Sequence, residues 1–233
     1  MIPSKPRISV IIPVFNEQNA IQQVIGDIPK DMISEIIVVD NGSTDQTAHL
    51  AASMGTRVIP ETRKGYGWAC LAGIAALNQP DIVVFLDGDY SDHPNEMPSL
   101  IAPILENRAD LVIGSRVLGQ REKGALLPQA RLGNWLATRL IHFFYGANYT
   151  DLGPFRAIRY SALQVLQMQD KTFGWTVEMQ VKAAKQGLKT EEVPVRYRKR
   201  IGVSKITGTV KGTIKAGWKI LFTIFKYRLT HAR

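Results

Sequence analysis

Short runs of β-branched and aliphatic residues, each closing on polar residues and most followed by a helical pattern, constrain this chain most. They are RISVIIPVF (7–15), EIIVVD (35–40), the weaker TRVIPE (56–61), DIVVFLD (81–87) and DLVIGSR (110–116). Between them the apolar spacing turns helical. Residues 16–28 place Ile21, Val24, Ile25 and Ile28 on one face. Residues 43–55 read as a helix capped by Ser43 or Thr44 and closed by Gly55. Helices are also expected over 64–78, entered through a glycine-rich turn, and over 94–106. Strands that alternate with helices demand a parallel sheet covered on both faces. Right-handed crossovers then give an α/β, Rossmann-like open sheet, mostly parallel.

The alternation stops near residue 116. Residues 119–129 carry glycine, charge and proline without a period and read as a mobile loop. Beyond it the patterns predict a helix over 131–145, a strand over 153–159 and a helix over 175–186. A strand over 189–198 belongs at an edge, because Pro194 cannot donate to a central ladder. Hydrophobic residues at 45% and charged residues at 21% exclude a disordered chain and a polytopic membrane protein. One cysteine, Cys70, permits no intrachain disulfide and points to a reducing, cytoplasmic setting. No stretch reads as a signal peptide or a membrane span.

Charge is unevenly spread. The chain carries +9, yet residues 180–233 hold 14 Lys/Arg against 2 Asp/Glu, so the rest is slightly acidic. A basic C-terminal quarter calls for an anionic partner. Residues 208–233 read as an appendage to a 1–207 main domain. There Val210, Ile214, Trp218, Leu221, Phe222, Phe225 and Leu229 share one helical face, flanked by Lys211, Lys215, Lys219 and Lys226. That is the pattern of a helix lying on anionic lipid. The same arc, widened by Ile220 and Ile224, also suits packing on the body or on a second subunit, which leaves a homo-oligomer open.

Ligands of open parallel sheets bind beyond the carboxyl ends of the strands. Here those ends read Pro13 to Glu17, Asp40 to Ser43, Asp87-Gly88-Asp89 and Gly114 to Arg116. Asp87 and Asp89, two residues apart after an apolar strand, suit a hard cation such as Mg²⁺ or Mn²⁺ shared with phosphates. Asp89 is favoured as the direct ligand, with Asp87 shared between metal and sugar hydroxyls. Gly88 lets the backbone turn. Asp40, beside Gly42, can accept from a ribose or base. Lys64 and Gly65, in RKGYG, can hold anions at a helix start or form a plain loop.

Together VIIPVFNE (10–17), IIVVDNGSTDQT (36–47), RKGYGWA (63–69) and VVFLDGDYSDHP (83–94) resemble the family 2 glycosyltransferases of the GT-A fold. TDLGPFRAIR (150–159), GWTVEMQ (174–180) and RKRIGVSKI (198–206) are most similar to the polyprenyl-phosphate sugar transferases, the dolichyl-phosphate mannose synthase group. The resemblance implies an inverting, metal-dependent transfer from a nucleotide-sugar to a lipid phosphate at a membrane surface, by a peripherally attached enzyme. It implies that Pro13, Asn16, Glu17 and Asp40 line the nucleotide pocket and that Asp87 and Asp89 hold the metal. Arg116 would face the diphosphate or the acceptor phosphate. Asp151, the candidate base for an alcohol acceptor, and Glu178 would border sugar and acceptor. Arg198, Arg200 and Lys205 would close over anionic groups. Ser91 stands where the mannose enzymes usually carry glutamine, and Gly153-Pro154-Phe155 replaces a more usual Ser-Gly-Phe, which favours a UDP-sugar over GDP-mannose.

The same fold also serves soluble sugar, protein or glycolipid hydroxyl acceptors. A phosphatase of the haloacid-dehalogenase type is disfavoured, because its aspartates follow the first strand and here three strands precede them. The C-terminal lysines follow a helical stripe without interleaved stacking aromatics, so nucleic acid is not the expected partner.

Overall fold

The computed structural model describes residues 5–202 and 210–229. Lys205 and the side chains of Val210 and Lys211, used in the sequence reading, lie outside the described residues. In chain order the elements are β1 (Ile8–Val14), α1 (Ile21–Gly26), β2 (Glu35–Asp40), α2 (Thr47–Ser53), β3 (Arg57–Pro60), α3 (Tyr66–Ala75), β4 (Ile82–Phe85) and α4 (Met97–Leu105). Then follow β5 (Leu111–Ser115), α5 (Pro128–Tyr145), β6 (Arg156–Arg159), α6 (Tyr160–Leu166), α7 (Trp175–Lys185), β7 (Thr190–Pro194) and α8 (Val210–Leu229).

The seven strands form one sheet in the order β3-β2-β1-β4-β6-β5-β7. All pairings are parallel except those of β6, which runs antiparallel to both β4 and β5. β7 is an edge strand, with Pro194 at its last rung opposite Ser115. Side chains alternate across the sheet. Ile11, Ile37, Val39, Val83 and Phe85 point to a core shared with α3, α5, α7 and α8. Val10, Ile12, Val38, Ile82 and Val84 point to a second core with α1, α2 and α4. The apolar runs need both faces covered because both parities carry buried aliphatic side chains.

Several expected elements are shorter. The helix expected over 16–28 is only α1, because Asn16 adopts a left-handed φ of 54° and the chain turns before coiling. The helix expected over 43–55 begins at Thr47, and neither Ser43 nor Thr44 caps it. Ser43 Oγ instead accepts from Asn16 N at 2.9 Å, and Asp45 Oδ1 accepts from Thr47 N at 3.0 Å. Helix α6 was not expected; it is only seven residues long and follows β6 without a break. The loop over 119–129 is tied to the segment after β7, since Glu122 N donates to Tyr197 O at 2.9 Å.

Helix α8 packs on α5 and α7 along the edge that Ile220 and Ile224 add to its apolar arc. Thr223, Ile224 and Tyr227 are buried, whereas Ile214, Trp218, Phe222, Phe225 and Leu229 stay exposed. The exposed apolar face continues onto α5, where Phe144 meets Phe225 edge-on at 5.3 Å and Leu132, Trp135 and Phe143 face outward. No helix among the described residues is long and apolar enough to cross a membrane.

The glycines of the 63–69 segment serve a close backbone approach. A Cβ on Gly67 would lie 2.0 Å from Asp170 O, and one on Gly65 2.2 Å from Lys171 O. Gly67→Ala should therefore cost about 1–3 kcal/mol in denaturant unfolding. Gly133→Ala, in the interior of α5 with nothing within 4 Å of its Cβ, should instead add about 0.5–1 kcal/mol.

Candidate active site

The carboxyl ends of β1 and β2 and the turn after β3 are stitched together by side chains. Glu17 N donates to Thr47 Oγ1 at 2.8 Å, and Thr44 N donates to Asn16 Oδ1 at 2.8 Å. Asn41 spends its whole amide on the 61–65 turn: Nδ2 donates to Glu61 O and Arg63 O, and Oδ1 accepts from Gly65 N at 2.8 Å. The Gly65 amide is thus used within the protein, which corrects the expectation that this turn cradles anions through that backbone group.

These ends enclose a cavity of about 330 Å³. Of the expected site residues, Pro13, Glu17, Lys64, Gly65, Asp87, Gly88, Asp89 and Arg200 line it. Asn41, Tyr66, Thr172 and Phe173 line it too and were missed. Thr172 and Phe173 belong to a turn about a hundred residues downstream, so no local pattern announces them. Asn16, Asp40, Gly42 and Arg198 are not on its wall. Asp40 Oδ1 accepts from Ser43 N at 3.2 Å. Arg198 lies over the Tyr90 ring at 3.3 Å and donates to the carbonyls of Tyr90 and Asp92.

The acidic centre follows β4. A Cβ on Gly88 would come 2.6 Å from Val14 Cγ1, so only glycine lets the turn lie against β1. Burial and the neighbouring Asp89 push the Asp87 carboxyl up to about 7, although Tyr66 OH donates to it at 3.0 Å. Asp89 Oδ1 accepts from Ser91 N at 2.9 Å and from Ser91 Oγ at 2.5 Å, which gives Ser91 a local role. Asp89 Oδ2 pairs with Arg200 at 3.1 Å, and Arg200 also reaches Glu17 at 3.1 Å. A guanidinium thus spans two of the three carboxylates on this wall. Asp92 is buried, and neither of its oxygens has a hydrogen-bond partner among the described residues. Burial, then the nearby Asp87 and Asp89, drive its carboxyl well above the ordinary range.

This donor set fits a hard divalent cation: all-oxygen, anionic, and drawing a cationic partner from the chain itself. Among the described residues no group of three or more His, Cys, Asp or Glu is arranged to hold a metal. Asp87 and Asp89 would supply the protein's ligands, and the remaining positions would fall to oxygens of a bound ligand and water.

Arg116 and Asp151 form a second, buried unit. Asp151 accepts from Arg116 N, Nε and Nη2, each at 2.8 Å. Burial opposes ionisation, but the charge and hydrogen bonds of Arg116 outweigh it and hold Asp151 below the usual carboxylate range. The Tyr197 ring covers Arg116 at 5.1 Å. Gly153 permits this arrangement, because a Cβ there would sit 2.3 Å from Gly114 O. Val117 and Thr150, the chain neighbours of this pair, line a second groove of about 660 Å³. Arg121, Arg131 and Arg139 supply its charge, and Leu126, Leu132 and Trp135 its apolar wall.

Glu178 is not on either wall. It is fully buried and accepts from Asp170 N at 2.6 Å, Tyr227 OH at 2.6 Å and Lys182 Nζ at 2.8 Å. The structure therefore moves it from the reaction centre to the junction of α7, the 169–174 turn and α8.

Comparison with known proteins agrees with this fold. The model of the family described as "Glycosyl transferase family 2" matches residues 9–166. An uncharacterised glycosyltransferase of Mycobacterium tuberculosis is 35% identical over 219 residues, covering 92% of this chain and 97% of that one. A dolichyl-phosphate hexose transferase of Haloferax volcanii is 34% identical over 204 residues, covering 85% and 86%. An undecaprenyl-phosphate mannosyltransferase of Micrococcus luteus is 29% identical over 221 residues, covering 88% and 90%. Among solved structures, glucosyl-3-phosphoglycerate synthase of M. tuberculosis in complex with Mn²⁺, UDP and phosphoglyceric acid superposes with a TM-score of 0.78. It is 24% identical and covers 97% of this chain and 80% of that one, which is a likeness of fold.

Asp92 offers a pH test. Its carboxyl stays protonated in the folded chain at pH values where the unfolded chain ionises it, so it costs stability as pH rises above about 4. Asp92→Asn should raise the melting temperature of the metal-free protein at pH 7, and the gain should shrink as pH approaches 4.

Proposed function

This chain belongs to glycosyl transferase family 2, and from that premise we propose that it transfers a sugar from a nucleoside-diphosphate donor, UDP-linked by preference, to a polyprenyl phosphate at a membrane surface. The 330 Å³ cavity takes the donor. Lys64 and Arg200 would meet its phosphates, and Asp87 and Asp89 would hold Mg²⁺ or Mn²⁺. The cation, when bound, neutralises charge on the departing nucleoside diphosphate.

The observation that carries the lipid-phosphate reading is the second groove, cationic and apolar at once, which starts beside Arg116 and ends among exposed Leu132 and Trp135. Arginines suit a phosphate and the apolar wall suits a hydrocarbon chain. The exposed face of α5 and α8 extends that wall and, with the lysines of α8, suits attachment to anionic lipid. Asp151 orients Arg116 in this scheme and does not take a proton, since its carboxylate is already committed. A phosphate monoester needs no base, because its second pKa of about 6 leaves it largely ionised near pH 7. The relatives named for dolichyl- and undecaprenyl-phosphate support the same acceptor class.

A donor screen decides the matter. UDP-glucose, UDP-galactose, UDP-N-acetylglucosamine and GDP-mannose are offered with Mn²⁺ or Mg²⁺, with and without polyprenyl phosphate. We expect metal-dependent transfer that requires the lipid and is lost in Asp89→Asn. Turnover indifferent to the lipid would move the acceptor to a soluble hydroxyl, and no turnover with any donor would overturn the proposal.

Arg200 gives a second test. It competes with a metal for Asp89, so Arg200→Ala should bind Mn²⁺ severalfold more tightly without nucleotide, as read by electron paramagnetic resonance. An unchanged Mn²⁺ affinity would remove Arg200 from the metal site.

A further inference from the structure

The turn over 169–174 forms one wall of the cavity through Thr172 and Phe173, and it is held from three sides. From below, Asp170 Oδ1 accepts from Thr172 N at 2.8 Å and Gly174 N at 3.1 Å, which folds the turn. From the cavity side, Lys171 O accepts from Trp68 N at 3.2 Å, and the main chain rests on Gly65 and Gly67. From the outside, α8 grips it. Lys219 Nζ pairs with Asp170 Oδ2 at 2.8 Å, and Tyr227 OH donates to Glu178, whose other oxygen accepts from Asp170 N. The fit leaves no slack, because a Cβ on Gly174 would lie 2.6 Å from Thr223 Oγ1 of α8.

Asp170 is therefore shared. One oxygen shapes the cavity wall and the other is held by a lysine that never reaches the cavity. Its side chain is 6% exposed against 33% for Lys219, so the carboxylate sits where screening is weak and the cation paired with it matters.

We propose that Lys219, acting through Asp170, is a positioning residue for the donor cavity, so that the seating of α8 on the body sets nucleotide affinity. This rests on reading the 330 Å³ cavity as the donor site. It assigns α8 a role in donor binding separate from any contact with lipid. With Lys219 removed, Asp170 can turn toward solvent, the turn loses the acceptor of two amides, and Thr172 and Phe173 lose their fixed place.

The test uses the full chain without lipid and two readouts. Binding of UDP and GDP with Mn²⁺ is titrated for the wild type, Lys219→Met, Lys219→Arg and Lys215→Met, the last removing the same charge from the same helix. Lys219→Met should weaken nucleotide binding by about threefold to tenfold. Lys219→Arg should restore it, and Lys215→Met should match the wild type. Amide exchange is followed in parallel, where Lys219→Met should speed Thr172 and Gly174 selectively, with β1 unchanged. Wild type that binds neither nucleotide would sink the donor reading, and the exchange rates alone would then judge the wiring. Nucleotide affinity within twofold of wild type in Lys219→Met, or unchanged exchange at Thr172 and Gly174, overturns the proposal.

Discussion

β1 is buried at all seven positions, and the rest of the molecule is organised by that fact. A strand apolar on both faces must lie inside a sheet with helices above and below, and it can offer polar groups only past its end. The chain then turns at once: Asn16 takes a left-handed conformation and Glu17 is the first charged group beyond the strand. β4, its neighbour, repeats the arrangement with Asp87 and Asp89, and Gly88 lets the second turn lie on Val14 of the first. The acidic wall of the cavity follows from two strands too apolar to carry any charge themselves.

What lies opposite that wall depends on backbones that touch. The 170–171 main chain rests on Gly65 and Gly67, Gly153 rests on Gly114, and Gly119 rests on the carbonyl of Val195. Each contact joins segments far apart in sequence and excludes a single methyl group. The parallel half of the fold was legible because its signals are local: apolar parity, strand length, a turn, a helix. The direction of β6 was not, since a four-residue strand flanked by glycine and proline on one side carries no sign of its polarity. The glycines of 63–69 left an anion-holding turn and a plain loop both open, because a glycine records only that space is needed, not what fills it.

Carboxylates show the same limit more sharply. Asp87 and Asp89 were recognisable, since their neighbours in sequence are also their neighbours in space. Asp151 and Glu178 were not separable by sequence, yet their situations differ. Asp151 is held by a guanidinium 35 positions earlier. Glu178 accepts a phenol 49 positions later and sits at a helix junction. The C-terminal helix was legible in part, since packing through Ile220 and Ile224 stood open beside an outward apolar stripe. Its aromatic stripe faces outward, while the weaker series of Ile220, Thr223, Ile224 and Tyr227 packs on the body. Hydrophobic periodicity finds an apolar face, but a helix with two such faces leaves open which one the protein keeps.

The guanidinium of Arg200, set between Glu17 and Asp89, has a consequence for how such a protein is made. Clustered carboxylates that await a metal usually strain the empty protein, which then folds poorly until the ion arrives. Here a positive charge from the same chain offsets part of that repulsion. Were Asp87 and Asp89 to hold a metal as proposed, maturation would be separated from metal supply: the polypeptide could reach its final shape first and acquire the ion together with a substrate that brings phosphates.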